Sequence, residues 1–168
     1  MDSFDQQKKE YLDALYKPDR SKKGNVDEHI SSLLDTINNH SDFYTTSSCS
    51  GRIMLIVDTK SKDKSQAKWL FVSHDQVTLK ELEPHLKELP QEPVWFRLEG
   101  MILHVCARTF DDAKKFLIFA QNNGYKHAGI LSASKRFIVQ IMGVNRFDAP
   151  IADKGALLVK EEYFSHAI

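Results

Sequence analysis

Apolar residues recur with two different periods along this 168-residue chain, and the alternation between them predicts its elements. Phe4, Tyr11, Leu12 and Leu15 fall at helical spacing behind Ser3 and Gln6, a capping-box pair, so a first helix is expected to stop before Pro18. Asn25 with Glu28 reads as the next helix start, and Val26, Ile30, Leu33, Leu34 and Ile37 make one stripe through residues 26–39. "IMLIVDT" (53–59) is apolar on both faces, the pattern of a central strand. Beyond the lysine-rich turn "KSKDKSQAK" (60–68), "WLFVSH" (69–74) reads as its hairpin partner. Thr78 and Glu81 form another capping box ahead of Leu79, Leu82, Leu86 and Leu89, and Pro84 predicts a kink or a break there.

In the second half, "VWFRLEGMILHVCAR" (94–108) reads as two strands joined near Gly100. Thr109 and Asp112 open a helix that ends at "NNG", and "AGILSAS" and "RFIVQIMG" are strands across a tight turn near Ser134. "NRFDAPIADKG" (145–155) reads as a loop, "ALLV" as a short strand and "EEYFSH" as a terminal helical turn. The predicted order is ααβββαββαβββα. Hairpins interrupted by helices predict an α+β (mixed α/β) fold, a single domain over 1–168 with a mixed or antiparallel sheet flanked by helices.

Composition narrows the function classes. With 42% hydrophobic and 27% charged residues the chain reads as an ordinary soluble globular protein. A formal net charge of zero argues against non-specific polyanion binding, while leaving room for a local basic face. The two cysteines, Cys49 and Cys106, lie in unlike contexts without CxxC, so no disulfide framework and no metal are expected, and a reducing, cytoplasmic setting is. "MDSFDQQKKE" carries acids and no apolar core, so neither a signal nor a transit peptide is expected, and no membrane partner either. HExxH, GxGxxG between strand and helix, GxxxxGK[ST] and GxSxG are all missing from the sequence.

The densest chemistry is "TTSSCSGR" (45–52): five hydroxyls, a thiol, a glycine and a guanidinium. Such a run suits a phosphate or carboxylate, with Gly51 letting a ligand approach the backbone and Arg52 forking onto it; a polar strand start is the other reading. Cys49 as a nucleophile needs a base and an electropositive setting, for which Arg52, His74 and His104 are candidates; packing within a strand competes with that role. His74 ends a strand, His104 lies mid-strand between Leu103 and Val105, and Arg108 follows a strand end, each compatible with a cleft or with a structural place. "KPDRSKKGN" (17–25) holds Lys17, Arg20, Lys22 and Lys23, a phosphate contact or a solvated loop. Trp69, Trp95, Phe96 and Tyr125 have rings that stack on bases, although Trp95 is expected in the core.

Taken together, these residues are familiar. "TTSSCSGR" resembles the signature of the wybutosine-synthesising tRNA methyltransferases, the third enzyme type of that pathway. "KKGNVDEHI", "WLFVSH", "ILHVCAR", "AQNNGYKHAGI", "APIADKGALLV" and "KEEYF" are similar to further elements of that family, so the resemblance covers about Phe4 to Phe164. It implies methyl transfer from S-adenosylmethionine to nitrogen-4 of a tricyclic imidazopurine made from the guanosine at position 37 of phenylalanine tRNA. It also implies a fold unlike the Rossmann-type methyltransferases. Ser47, Ser48, Cys49, Gly51, Arg52 and Arg108 carry over as substrate- or cofactor-binding residues. Asp27, His74 and His104 carry over as candidate proton acceptors for the ring nitrogen. The anticodon loop needs a positive path, expected from Lys17, Arg20, Lys22 and Lys23 with Lys135 and Arg136, and other enzymes of the pathway are expected partners. Asn25 and Gly100 depart from the family's pattern, outside the octamer. A non-catalytic RNA-binding module is the alternative reading.

Overall fold

The computed structural model describes residues 3–15, 27–59 and 68–167. Lys17, Arg20, Lys22, Lys23 and Asn25, named above, lie outside the described residues. In chain order the elements are α1 (Ser3–Leu15), α2 (Glu28–Asn38), β1 (Phe43–Cys49), β2 (Arg52–Val57), β3 (Lys68–Ser73), α3 (Leu79–Leu86), β4 (Val94–Glu99), β5 (Ile102–Ala107), α4 (Phe110–Asn122), β6 (Gly129–Ala133), β7 (Phe137–Met142), β8 (Phe147–Asp153), β9 (Ala156–Leu157) and α5 (Glu161–Ala167). The α+β class holds, with purely antiparallel strands in two sheets. None of the described helices is long and apolar enough to cross a membrane.

The chain divides into two compact units, each assembled from separated stretches: Met1–Ser50 with Met101–Val144, and Gly51–Gly100 with Asn145–Ile168. The first holds the four-stranded sheet β1-β5-β7-β6, the second the five-stranded sheet β3-β2-β4-β8-β9. The strands β4 and β5 follow one another across Gly100 yet do not pair, because each belongs to a different sheet.

Strand alternation sets both faces of the first sheet. Leu103, Val105 and Ala107 of β5, with Val139 and Ile141 of β7, point to a core closed by Ile30, Leu34 and Ile37 of α2 and Ala113 and Ala120 of α4. On the other face, Tyr44, Cys106 and Ile138 pack beneath Phe4 and Tyr11 of α1, with the Phe4 and Tyr44 rings edge to face at 5.1 Å. α1 therefore covers that face only at the Tyr44 end.

In the second unit Leu55, Val94, Phe96 and Ile151 form a core with Leu82 of α3 and Phe164 of α5. The hairpin of β2 and β3 forms as its pattern predicts, and β2 is central, between β3 and β4. The capping box of Thr78 and Glu81 is present, and one uninterrupted helix carries Pro84.

Three local expectations fail for identifiable reasons. Helix α2 starts two residues later than its stripe suggests, with Asp27 as N-cap, its carboxylate accepting from the His29 backbone at 3.3 Å. The loop expected over 145–155 contains β8: Asp148 faces Arg97 as an ion pair at 2.8 Å, so its charge marks a partnered position in the sheet. Trp95 is only half-buried, on the opposite side of β4 from Phe96.

Candidate active site

Three sets of contacts inside the first unit help to place the segment Thr45–Ser50. Asn38, at the end of α2, holds Thr45: the Thr45 backbone N–H donates to Oδ1 at 2.8 Å, and Nδ2 donates to the Thr45 hydroxyl at 3.0 Å. Both residues are buried, so Thr45 anchors the strand and offers nothing to a ligand. A β-bulge follows between Thr45 and Ser47, beyond which Ser47 pairs with His104, Ser48 with Leu103 and Cys49 with Ile102. The extra residue changes the face on which each later side chain lies. Ser47, not Thr46, thereby joins the face of Tyr44, and the Thr46 hydroxyl turns to the His104 carbonyl at 3.5 Å.

The outcome is a short row of polar side chains beyond the end of α1. His104 pairs with Ser47 on one side and Gln140 on the other. Directly opposed side chains lie about 5 Å apart at Cβ. The His104 Nε2 lies 3.0 Å from Gln140 Nε2. Ser47 is exposed, and Cys49, His104 and Gln140 are half-buried, so the row lies open at the surface, whereas Ser48, opposite Leu103, lies on the other face of the sheet. Finally, the carboxylate of Asp27 accepts from the Ser50 backbone N–H at 3.1 Å and from its hydroxyl. One acid thus caps α2 and holds the end of β1. Asp27→Ala is expected to cost about 1–2 kcal/mol in denaturant unfolding. Asp27→Asn, which keeps the cap and loses an acceptor for Ser50, is expected to regain most of that stability.

Burial holds the His104 imidazole below its ordinary value, so it is neutral at neutral pH. Its basic nitrogen depends on the Gln140 amide. A donating NH2 leaves a bare Nε2, whereas the amide turned end for end accepts from Nε2–H and leaves Nδ1 basic. Because the folded pKa is lowered, acid binds protons to the unfolded chain first, and stability falls as pH drops through 6.5, the unfolded value. His104→Gln is expected to flatten that part of the pH dependence, read as urea midpoints between about pH 7.5 and about pH 5.

Gly51 and Arg52 belong to the second unit, as does His74, which follows β3. Gly51 has φ +115°, a conformation that residues with a Cβ rarely adopt. Arg52 Nε donates to Glu99, its partner on β4, at 2.8 Å, and its guanidinium lies 5.1 Å from the Trp69 ring centre. Arg108 is a structural tie: it donates to Asp5 at 2.6 Å, Asp42 at 3.0 Å and the Ser41 carbonyl at 3.1 Å, and lies over Phe4. Arg136 donates to the Tyr11 hydroxyl at 2.6 Å, while Lys135 is exposed. The sequence did not single out Gln140 or Asn38. Gln140 had a signal, as the one polar residue in the strand "FIVQIM".

The family described as "Methyltransferase TYW3" matches residues 6–168. This chain belongs to that family. The TYW3 likeness extends along the whole chain. A Thermococcus sibiricus protein named tRNA(Phe) 7-((3-amino-3-carboxypropyl)-4-demethylwyosine(37)-N(4))-methyltransferase is 40% identical over 96% of this chain and 81% of its own length. The Schizosaccharomyces pombe tRNA wybutosine-synthesizing protein 3 is 40% identical over 95% of this chain and 72% of its own. Among solved structures, the PH1069 protein of Pyrococcus horikoshii superposes with a TM-score of 0.85 at 38% identity, covering 98% of this chain and 84% of that one. Membership in TYW3 makes this chain a methyltransferase, which decides against the purely RNA-binding alternative and requires a methyl donor.

Proposed function

We propose that the protein transfers a methyl group from S-adenosylmethionine to nitrogen-4 of the tricyclic base at position 37 of phenylalanine tRNA, in the cytoplasm. The names of the Thermococcus sibiricus and Pyrococcus horikoshii relatives specify that reaction for those proteins. The observation that carries the reading here is the row Ser47–His104–Gln140, in which strand pairing sets a residue of the motif richest in small donors beside His104 of β5 and, next to it, Gln140 of β7. The family match over residues 6–168 supports treating 1–168 as one functional domain.

The row suits the cofactor in one specific respect. Hydroxyls, a thiol, an amide and an imidazole kept neutral by burial bring no cation against a positively charged sulfonium. S-adenosylmethionine supplies an electrophilic methyl for direct displacement. His104 accepts the proton that the ring nitrogen loses, and Gln140 orients the imidazole. Ser47 and Ser50 offer hydroxyls to the polar edges of cofactor and base, Asp27 positions Ser50, and Ser48, opposite Leu103, lies on the other face of the sheet from Ser47. Cys49 lines the row without acting as a nucleophile, since direct displacement forms no covalent enzyme intermediate. His74 stays a second candidate acceptor on sequence grounds alone. Arg52 already holds a carboxylate, Glu99, so a ligand carboxylate would have to compete for it. Lys17, Arg20, Lys22, Lys23 and Lys135 are proposed to face the tRNA backbone, and Arg136 to serve through its hold on Tyr11. Other enzymes of the pathway are proposed as transient partners.

The test is transfer of a labelled methyl group from S-adenosylmethionine to phenylalanine tRNA carrying the demethyl precursor, read by mass spectrometry of the nucleoside. A gain of one labelled methyl is expected. No gain, together with no heat of cofactor binding in calorimetry, would overturn the reading.

A further inference from the structure

The second unit has a sheet face that the reaction above does not use. Helices α3 and α5 pack on one side of the β3-β2-β4-β8-β9 sheet, through Leu82 and Phe164. The other side carries a row set by register: Trp69 on β3 pairs with Ile56 on β2, which pairs with Trp95 on β4, which pairs with Pro150 on β8. Trp69 and Trp95 are the chain's two tryptophans. Trp69 is 41% exposed and Trp95 half-buried, on strands two positions apart, which separates them by about 10 Å.

Beside that row, on the same face, lie the guanidiniums. Arg52 lies over Trp69 and is held by Glu99. Arg97 is held by Asp148 at 2.8 Å, with Glu99 4.0 Å away, and Arg146, 70% exposed, reaches the same Asp148 at 3.9 Å. Three arginines share two carboxylates, so this cluster carries an excess positive charge. The carboxylates also hold the guanidinium planes in place.

We infer that this face is a platform for unpaired nucleotides of the RNA substrate, with bases stacked on Trp69 and Trp95 and phosphates drawn to the arginines. The inference rests on the tRNA-methylating reading and adds a place where the RNA sits. An antiparallel sheet presenting aromatic rings and guanidinium planes offers what splayed single-stranded bases need, a flat π surface beside a positive charge. A protein partner fits less well, because the adjoining row, Val72–Met54–Arg97–Asp148, sets an ion pair directly beside Trp95 and Pro150.

Both tryptophans lie on the platform, so intrinsic fluorescence reports its occupancy directly. Titration with an anticodon stem-loop RNA is expected to quench that fluorescence more than a fully paired duplex of equal length does. Trp69→Ala is expected to weaken stem-loop affinity by about 5- to 150-fold, the range of one base–aromatic stack, and Trp69→Phe to retain most of it. Arg146→Gln is expected to lower the slope of log affinity against log salt by about one. Equal affinity for stem-loop RNA in Trp69→Ala and the unaltered protein overturns the platform. So does equal quenching by duplex and stem-loop, which means that only charge is being read. If the unaltered protein methylates tRNA while Trp69→Ala binds it equally well, the platform fails and the function stands. If the unaltered protein neither methylates nor binds this RNA, both fall.

Discussion

Replacing His104 with alanine is expected to lower the methyl-transfer rate by about a hundred- to ten-thousand-fold, the range in which positioned acid–base groups contribute. The reasoning starts from the strand. Leu103 and Val105 are buried in the core beneath α2 and α4, so alternation turns His104 to the opposite face. There the bulge in β1 brings Ser47 opposite, and burial keeps the imidazole neutral and able to take a proton. His104→Gln should be nearly as slow as the alanine variant, since an amide keeps contact with Gln140 and takes no proton. Single-turnover rates at saturating cofactor isolate the step. A rate within about threefold of the unaltered protein would remove His104 from the chemistry and leave His74 as the acceptor to examine. Gln140→Leu separates positioning from chemistry: it should lower the rate less and shift the apparent pKa of its pH profile, because the imidazole loses the amide that contacts its Nε2.

Asn38→Ala is expected to be the most damaging polar substitution for stability, costing about 2–4 kcal/mol. Asn38 and Thr45 are buried at 8% and 4% exposure, and the amide satisfies both the backbone N–H and the hydroxyl of Thr45. Alanine abolishes two hydrogen bonds and strands a buried backbone donor, which costs more than the bonds themselves. Adding Thr45→Val should then cost little more, since the hydroxyl has already lost its amide partner. The double-mutant cycle should therefore show coupling of about 1 kcal/mol, measured by urea unfolding. Additive losses would show that the pair is not one unit. Turnover should fall as well, since Thr45 is the last residue in register before the bulge that places Ser47.

Much of the local structure was legible because it depends on neighbours in the chain. The stripe of α2, the capping box at Thr78 and Glu81, and the doubly apolar strand β2 each express a period or a cap that acts over a few residues. The loop expected over residues 145–155 failed because Asp148 and Pro150 looked like turn residues. Only their cross-strand neighbours, Arg97 and Trp95, show why a charge and an imino acid fit in β8. Arg108 illustrates the same limit from the other side. Its charge suggested a ligand, whereas Asp5 and Asp42, 103 and 66 residues away in sequence, use it to join α1 and the turn before β1 to the end of β5.

By itself the sequence determined the α+β class, most of the elements and the family, because periodicity, caps and contiguous motifs are one-dimensional information. Tertiary structure alone decided that β4 and β5 part into different sheets, that Thr45 anchors while Ser47 faces outward, and that His104 meets Gln140. Each of these depends on strand register. One bulged residue exchanges the two faces of every position after it, and no period read along a single strand contains the register of its partner.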